Sequence, residues 1–326
     1  VTHQMENVER LLGSTSQCSS WDATGVVERI PNAVNAHVES IVKMLKVENP
    51  SKVVVDCGNG ATSVITPMLL KTLGCEVHTL NTSFDHTFSA RPSEPTREAL
   101  ENLSALTKKT NSDFGIAHDG DGDRMVAVDG GGNYLGGDAL MLAFARYGEF
   151  KHAVTPVNAS MAFEELMNGN VTRTRVGDVF VGEELKKGGG DFGCEPSGTW
   201  IFPRFSFCPD GIFAAGKLVE MVSKKGVEAL RGFESYPLVR DKQAIVKPMD
   251  KVMPVIEEYL SNADKIDNID GIRADFPWGW ILVRPSGTEP IIRFTVEARD
   301  QPSMEAHGMP LLKKLKAVSY THLRAH

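Results

Sequence analysis

The sequence predicts an α/β protein in which two successive α/β sheet domains are followed by an α+β C-terminal domain. From Lys52 onward, β-type runs alternate with helical patterns, as is typical of α/β units built around mostly parallel sheets. After about Gly232 this alternation stops, and a helix, a strand pair and a last helix follow. A length of 326 residues agrees with two to three domains, because single cores seldom grow that large.

The first α/β domain is predicted over residues 36–130, after a connecting helix at 32–45. Its predicted elements are strand 52–56, a glycine turn at 58–60, helix 61–73, strand 76–80, a helix after Pro95, strand 114–118 and strand 125–128. Gly74 ends the helix at 61–73, because glycine readily adopts the left-handed conformation of a helix C-terminus. The Asp-Gly-Gly-Gly turn at 129–132 marks the domain boundary.

The second α/β domain is predicted over residues 131–232 and the α+β domain over 233–317. The predicted elements of the second domain are helix 138–146, strand 153–157, helix 160–167, strand 172–176, helix 179–187, strand 192–194 and helix 209–225. Those of the last domain are helix 252–260, a strand pair around 271–283 and 291–297, and a helix from Ser303.

Bulk composition excludes several classes of protein. The net charge of -7 argues against a general nucleic-acid binder, because binding to phosphate backbones needs dense Lys and Arg. No apolar run approaches the roughly 20 residues that cross a bilayer, and the N-terminus shows no signal-peptide pattern, so we expect a cytoplasmic protein without a membrane partner. Five cysteines without a Cys-x-x-Cys pair predict reduced thiols rather than disulfides or a zinc site.

Residues 119–124, Asp-Gly-Asp-Gly-Asp-Arg, form the most informative motif. Three carboxylates follow the end of a predicted buried strand, where ligands collect in α/β folds. Two unit charges about 4 Å apart repel by roughly 4 kcal/mol at an effective dielectric of 20, so this loop favours a hard divalent cation, most simply Mg²⁺. The alternative is a solvated acidic turn. An EF-hand is excluded, because Arg124 and Gly130 stand where it needs Gly and Glu.

A second motif, Arg-Pro-Ser-Gly-Thr-Glu-Pro at 284–290, predicts a phosphate site. A tight turn that exposes backbone N–H groups, two hydroxyl donors and the Arg284 guanidinium are the groups that grip a phosphate. Arg293 follows on a predicted strand, and a structural role competes with phosphate binding there. An ordinary proline-bounded turn is the alternative for the motif.

A third motif, Glu-Pro-Ser-Gly-Thr at 195–199, is weaker. In an extended loop, Glu195 and Ser197 would point to the same side and suit two adjacent sugar hydroxyls. A surface turn is an equal alternative. Arg173 and Arg175 could face a phosphate or the solvent, and His118, beside the Asp loop, is better explained as a satisfied strand-end histidine than as a base.

Together these motifs resemble the α-D-phosphohexomutase family, which comprises phosphoglucomutases, phosphomannomutases and phosphoglucosamine mutases. The resemblance runs from about residue 6 to 316. It implies that Asp119, Asp121 and Asp123 bind Mg²⁺ and that Arg124 lies near a phosphoserine. Family members have four domains, so residues 1–35 resemble the end of the first, phosphoserine-bearing domain.

The resemblance also implies how a phosphosugar is held. The sugar O3 and O4 hydroxyls would meet Glu195 and Ser197. The substrate phosphate would meet the second motif, through Arg284, Ser286, Gly287, Thr288 and the nearby Arg293.

Two departures from the family pattern stand out. Thr199 stands where many relatives carry a histidine. In this position the sequence resembles archaeal-type phosphoglucosamine or phosphomannose mutases, and the identity of the sugar substrate is left open. The Thr-Ala-Ser-His-Asn-Pro-like loop that carries the phosphoserine does not occur, since neither Ser-His nor His-Asn-Pro is found in the sequence. Residues 318–326, VSYTHLRAH, resemble a translated sequencing adapter, so we expect a fragment with a tail that has no evolved function.

The resemblance implies an isomerase, an intramolecular phosphotransferase that interconverts hexose or hexosamine 6-phosphate and 1-phosphate through a phosphoserine and a bisphosphorylated sugar. Phosphoglucosamine mutase and phosphomannomutase are the leading activities, in a monomer or homodimer. The chain alone is predicted to be inactive. The competing hypothesis is a non-catalytic phosphosugar-binding protein. A different Mg²⁺ phosphotransferase or phosphatase would need Asp-x-Asp-x-Thr, and Met125 breaks that pattern.

Overall fold

A computed structural model describes residues 2–12, 19–233, 235–244, 249–286 and 289–320. The strands are β1 Lys52–Asp56, β2 Glu76–Leu80, β3 Phe114–His118, β4 Met125–Asp129, β5 Tyr134–Leu135, β6 Ala153–Pro156, β7 Val171–Thr174, β8 Phe192–Glu195, β9 Thr199–Ile201, β10 Leu238–Ala244, β11 Lys265–Asp267, β12 Ile272–Phe276, β13 Gly279–Pro285 and β14 Ile291–Ala298. The helices are α1 Thr2–Leu12, α2 Ala33–Val42, α3 Ile65–Thr72, α4 Glu101–Lys109, α5 Gly137–Tyr147, α6 Met161–Leu166, α7 Asp178–Lys186, α8 Gly211–Lys225, α9 Met249–Tyr259, α10 Gln301–Ser303 and α11 Met309–Tyr320. None of the helices in these ranges combines the length and apolar character needed to cross a membrane.

The chain forms two compact units, of which the first contains Val1–Tyr134 and Arg204–Val227. Its sheet has the order β2-β1-β3-β4-β5, with β2, β1 and β3 parallel and β4 antiparallel to β3. Strands β1 and β3 are almost wholly buried, as is expected where helices cover both faces of a parallel sheet. Leu103 of α4 and Leu100 just before it are buried on this sheet against Val54 and Val128.

Helix α8 packs with the first unit although four strands of the second unit, β6 to β9, precede it in the chain. A methyl group added at Gly216 of α8 would meet Leu45, Ile41 and Leu69, so the absence of a side chain there allows α8 to approach α2 and α3 closely. Sequence periodicity shows that α8 is a helix, but it does not show which sheet the helix covers.

The predicted helix at 61–73 is interrupted. Residues Ala61–Ser63 form a 3-10 turn and α3 begins only at Ile65. The reason is a close approach of two loops. The Ala61 amide donates to the Gly120 carbonyl at 2.9 Å, and a Cβ at Gly60 would lie 2.2 Å from that same oxygen. This contact holds the start of the segment out of the helix and against the Asp-rich loop.

The second unit contains Leu135–Pro203 and Glu228–His326. Its first sheet has the order β7-β6-β8-β9, with β6, β7 and β8 parallel and β9 folded back on β8. Aromatic rings fill the space between α5 and this sheet. Phe144 lies 4.9 Å from Trp200, and Phe150 stacks on Phe192 at 4.2 Å between ring centroids.

The second sheet of this unit is antiparallel, with the order β10-β14-β13-β12-β11. The predicted strand around 271–283 is in fact the two strands β12 and β13, and β10 and β11 were not predicted. Helices α9 and α11 cover one face through Val252, Ile256, Leu312 and Leu315. These observations confirm the predicted fold class, two α/β sheets followed by an α+β region.

The buried Glu297 of β14 links the two sheets of the second unit. Its carboxylate accepts hydrogen bonds from the Ser160 hydroxyl at 2.5 Å, the Met161 amide at 2.7 Å and the Trp280 indole N–H at 2.6 Å. Ser160 also caps α6 by accepting from the Ala162 amide. Burial raises the pKa of Glu297, against the effect of these donors.

Candidate functional site

The loop Asp119–Arg124 joins β3 to the antiparallel strand β4 at the carboxyl end of the parallel strands. One carboxylate oxygen from each of Asp119, Asp121 and Asp123 lies within 4.8 Å of the others. Asp119 is buried, Asp121 is exposed and Asp123 is intermediate. The structure therefore brings the three predicted metal ligands together at one side of the hairpin.

The loop folds around the Asp119 carboxylate. One oxygen of Asp119 accepts from the Gly122 amide at 3.1 Å and from the Arg124 amide at 3.2 Å. Gly122 has φ 83°, and a Cβ there would lie 2.4 Å from Cγ2 of Thr62, so only glycine fits. The Gly122 carbonyl in turn accepts from the Gly211 amide at the start of α8.

The electrostatics of this loop favour a cation. Burial, with the adjoining Asp123 and Asp121 carboxylates, raises the pKa of Asp119 to about 7. A carboxyl shifted in this direction lacks a sufficient positive partner for its charged form. Three carboxylates and no sulfur or nitrogen ligand match the oxygen preference of Mg²⁺. The residues therefore fit a hard divalent ion.

Arg124 lies among carboxylates. One of its terminal nitrogens, Nη1, donates to both oxygens of Glu94 at 2.8 Å, and its Nε lies 3.5 Å from Asp119 and 3.9 Å from Asp123. The Arg124 side chain is about one third exposed, so an anion can reach it. Glu94 was not predicted, because a lone Glu in a proline-rich segment gives no signal.

Behind the loop lies a buried ion pair that was also not predicted. The Nε of Arg91 donates to Asp56 at 3.1 Å, and Nη2 donates to the His118 carbonyl at 2.6 Å, one residue before Asp119. Nη1 of the same guanidinium donates to the carbonyls of Pro92 and Ser93. Arg91 therefore ties the ends of β1 and β3 to the segment that precedes α4. Asp56 was detectable as a strand-end carboxylate, whereas Arg91 was not.

His118 has a structural environment. Its Nδ1 lies 2.9 Å from the Arg124 carbonyl and its Nε2 lies 3.2 Å from the Thr66 hydroxyl. A carbonyl can only accept, so Nδ1 carries the proton. Burial lowers the pKa of His118 to about 4, which keeps the ring neutral near pH 7. The ring thus holds the far end of the Asp loop.

The predicted sugar motif is a tight hairpin turn between β8 and β9 rather than an extended loop. Glu195 pairs with Thr199 in register, and the Gly198 amide donates to the Glu195 carbonyl at 3.0 Å. The Glu195 carboxylate accepts from the Ser197 hydroxyl at 3.1 Å and from the Gly177 amide at 2.9 Å. The turn thus brings the carboxylate and the hydroxyl together by a direct hydrogen bond, with Ser197 exposed.

Arg173 and Arg175 are both engaged within the second unit. Arg173 forms a two-pronged ion pair with Glu164 at 2.6 and 2.8 Å. The Arg175 guanidinium lies over the Phe180 ring, 4.6 Å from its centroid. Arg173 is thus engaged by a carboxylate, and Arg175 lies exposed to solvent beside the ring.

The predicted phosphate motif lies at the connection between β13 and β14. Arg284 and Arg293 stand opposite each other in register, and the Ser286 amide donates to the Ile291 carbonyl at 2.9 Å. Each arginine has a carboxylate nearby, Asp270 at 3.5 Å for Arg284 and Glu289 at 2.9 Å for Arg293. Gly287 and Thr288, the other two predicted phosphate ligands, lie outside the described residues.

Comparison with known families accounts for this combination of loops. Three domain models match in order. They are "Phosphoglucomutase/phosphomannomutase, alpha/beta/alpha domain II" at residues 32–132, its domain III at 136–236 and its C-terminal domain at 238–307. The chain belongs to this family. The Asp loop, the Glu195 turn and the Arg284 hairpin each fall in a different one of the three matched domains, and the predicted α-D-phosphohexomutase membership is confirmed.

Two similar relatives within the family carry the same name. A protein of Methanocella arvoryzae named "Probable phosphoglucosamine mutase" is 45% identical over 308 residues, which cover 93% of this chain and 70% of that protein. Another of that name, from Methanococcoides burtonii, is 42% identical over 303 residues, which cover 91% of this chain and 70% of that protein.

A solved structure has the same fold. A phosphoglucomutase/phosphomannomutase family protein from Burkholderia thailandensis matches with a TM-score of 0.79 and 25% identity, over 88% of this chain and 65% of that one. The chain therefore spans 65% to 70% of the length of these proteins.

Proposed function

We propose that the chain is the metal-, sugar- and phosphate-binding part of a Mg²⁺-dependent phosphohexomutase. The observation that carries this proposal is the triad of carboxylates in the Asp119–Arg124 loop, in a chain whose three matched domains each contribute one of the predicted loops. The reaction is the interconversion of hexose or hexosamine 6-phosphate and 1-phosphate. We also propose that it takes place in the cytoplasm.

The domains are proposed at residues 36–130, 131–232 and 233–317, each with one task. In the first, Asp119, Asp121 and Asp123 hold the ion, and Arg124 offers its exposed edge to the transferring phosphoryl group. The hydrogen bonds within the Asp loop would keep these charges in place before reaction, and such preorganised charge stabilises developing charge effectively.

In the second domain, Glu195 and Ser197 hold two neighbouring sugar hydroxyls. The hydrogen bond from Ser197 to Glu195 places the two groups at the same turn, which supports a shared ligand. In the third domain, Arg284, Ser286, Gly287, Thr288 and Arg293 hold the phosphate that is not reacting. Contacts to O3, O4 and the phosphate allow a sugar to bind in either orientation and to turn over as a bisphosphate. The same contacts do not distinguish the substituents at C2.

Glucosamine phosphate is the substrate we favour, because the relatives reported above are named phosphoglucosamine mutases. Mannose phosphate is the second candidate. A coupled assay with glucosamine 6-phosphate, mannose 1-phosphate and glucose 1-phosphate, each with a trace of the bisphosphate, ranks these substrates once the chain is joined to upstream coding sequence that supplies a serine loop.

The chain of 326 residues is proposed to be inactive by itself, because its sequence holds no loop with the nucleophilic serine. Turnover of any of the three sugars by this chain alone would refute this statement. The same sequence feature favours a second candidate, a non-catalytic phosphosugar-binding protein. An in-frame upstream serine loop in the gene supports the mutase, and a stop codon followed by a start near Met5 supports the binder.

A further inference from the structure

A row of three basic residues crosses the antiparallel sheet of the second unit. Lys242 of β10 stands opposite Arg293 of β14, and Arg293 stands opposite Arg284 of β13. Residues directly opposite on antiparallel strands place their side chains on one face, with Cβ atoms roughly 4.5–5.5 Å apart. Like charges in this arrangement are unfavourable, so a row of three favours an anion on that face.

The three cations differ in their partners. Arg284 and Arg293 lie near Asp270 and Glu289, which neutralise part of their charge. Lys242 has no carboxylate within ion-pair distance among the residues that the structure describes. Its side chain is exposed, and its charge is therefore available to a ligand.

The row lines a cavity of about 530 Å³. Arg240 adds a fourth cation to the wall, and both of its terminal nitrogens donate to Asp138. Asp241 is the one carboxylate among the described lining residues, and it pairs with Lys316 at 2.5 Å. The wall of this cavity is thus positive, with Lys242 as the cation that no described carboxylate offsets.

We propose that Lys242 binds the phosphate group of the substrate together with Arg284 and Arg293. The inference rests on the proposed function, because it concerns the same phosphate site. An ammonium group is a compact point charge on a flexible stem, so Lys242 recognises the charge of a phosphate and not the geometry of a particular ester. It therefore contributes equally to the binding of a 6-phosphate and a 1-phosphate, as a sugar that turns over requires.

Calorimetric titration of the 326-residue chain tests this role. The ligands are glucosamine 6-phosphate, glucose 1-phosphate and inorganic phosphate at low salt, and the variants are Lys242→Gln, Lys242→Arg and Arg284→Gln. Lys265→Gln is the matched control, because Lys265 is an exposed lysine on the edge strand β11 of the same sheet and lies away from the cavity. A hydrogen bond to a charged group corresponds to about a tenfold change in affinity.

We expect Lys242→Gln to weaken all three ligands about tenfold and by the same factor. Lys242→Arg keeps the charge and should retain most of the affinity, and Lys265→Gln should change nothing. If Arg284→Gln abolishes binding and Lys242→Gln does not weaken it, Lys242 has no role in binding. The proposed phosphate site would still stand. If the unaltered chain binds none of the three ligands, the proposed phosphate site and the role of Lys242 fall together.

Discussion

The two charge clusters of this chain are built in opposite ways. In the first unit, the Asp56–Arg91 pair behind the Asp loop has side chains that are 1% and 4% exposed. In the second unit, Arg284 and Arg293 are 20% and 46% exposed. The buried pair holds backbone in place, whereas the more accessible basic row is proposed to offer its charge to a ligand. Charged residues near a site thus divide into those that shape it and those that bind.

The energetics follow the same division. Removing one partner of a buried ion pair destabilises a protein by about 3–5 kcal/mol, because the other charge stays buried and unpaired. Exposed ion pairs contribute about 0–1 kcal/mol. Substitution of Asp56 or Arg91 behind the Asp loop should therefore change stability. Substitutions in the basic row should change ligand binding.

Arg91→Met is expected to have the largest effect. It leaves Asp56 without its cation and the His118 carbonyl without its donor, so the free energy of unfolding of the first unit should fall by about 3–5 kcal/mol. Urea denaturation with hydrogen exchange at β1 and β3 measures this loss. Arg97→Met is the matched control, since Arg97 is an exposed arginine six residues away that lies over the Tyr134 ring. Equal losses in the two variants would contradict the division between shaping and binding residues.

The first unit also shows what the sequence could and could not predict. The carboxylates of Asp119, Asp121 and Asp123 were predictable, because strand-end position and glycine spacing are local features. Arg91 and Glu94 were not, because Asp56 and His118 lie 35 and 27 residues from Arg91, and Arg124 lies 30 residues from Glu94. Only the packed fold brings these groups together. Local rules also missed the break before α3, which a contact between two loops imposes.

The second unit repeats this lesson. The strand at 291–297 was predicted and is β14, but β10 is a polar edge strand whose place in the sheet is set by pairing with β14. Without β10, the sequence offers no reason to group Lys242 with Arg293 and Arg284. The sequence motif identified Arg284 and Arg293. Only the register between β10 and β14 shows that Lys242 lies beside them.

Asp119→Asn should separate metal binding from stability. The Asn side chain keeps an oxygen to accept from the Gly122 and Arg124 amides but removes one charge from the triad. Second-sphere changes lower metal affinity by about 10–100-fold, so loss of a ligand charge should lower Mn²⁺ affinity by at least about 100-fold. Metal-free stability should be unchanged or higher, because repulsion within the loop decreases.

Titration calorimetry with Mn²⁺ and metal-free denaturation measure the two quantities. Asp22→Asn, an exposed acid of the same unit, serves as the control and should alter neither. Unchanged Mn²⁺ affinity in Asp119→Asn would remove the metal site from the proposal. A large loss of metal-free stability would instead show that the Asp119 charge is needed to hold the loop backbone.

The buried Glu297 carboxylate allows the effect of burial on stability to be tested through its pH dependence. Its donors are neutral, unlike the arginine that faces Asp56, and burial raises its pKa above the ordinary value. A carboxyl with a raised folded-state pKa favours the folded state at low pH, and this contribution is lost as pH rises through the folded-state pKa. Glu297→Gln should therefore be most destabilising, relative to the unaltered chain, at the acidic end of a series of denaturation curves. Its deficit should shrink as pH rises to neutrality, and a deficit that grows with pH would contradict the direction of the shift.

Salt should produce the smallest effect and separate the two clusters most directly. The Debye length falls from about 10 Å at 0.1 M to about 3 Å at 1 M salt, which screens exposed charges far more than buried ones. Phosphosugar affinity at the basic row should therefore fall by about threefold or more over this range, while the stability loss of Arg91→Met should stay constant. Calorimetric titration and denaturation at matched salt concentrations compare the two. Salt that reduced the stability loss of Arg91→Met as much as the phosphosugar affinity would mean that the Asp56–Arg91 pair is accessible to solvent. Burial would then no longer explain why one cluster holds the backbone in place and the other is proposed to bind a ligand.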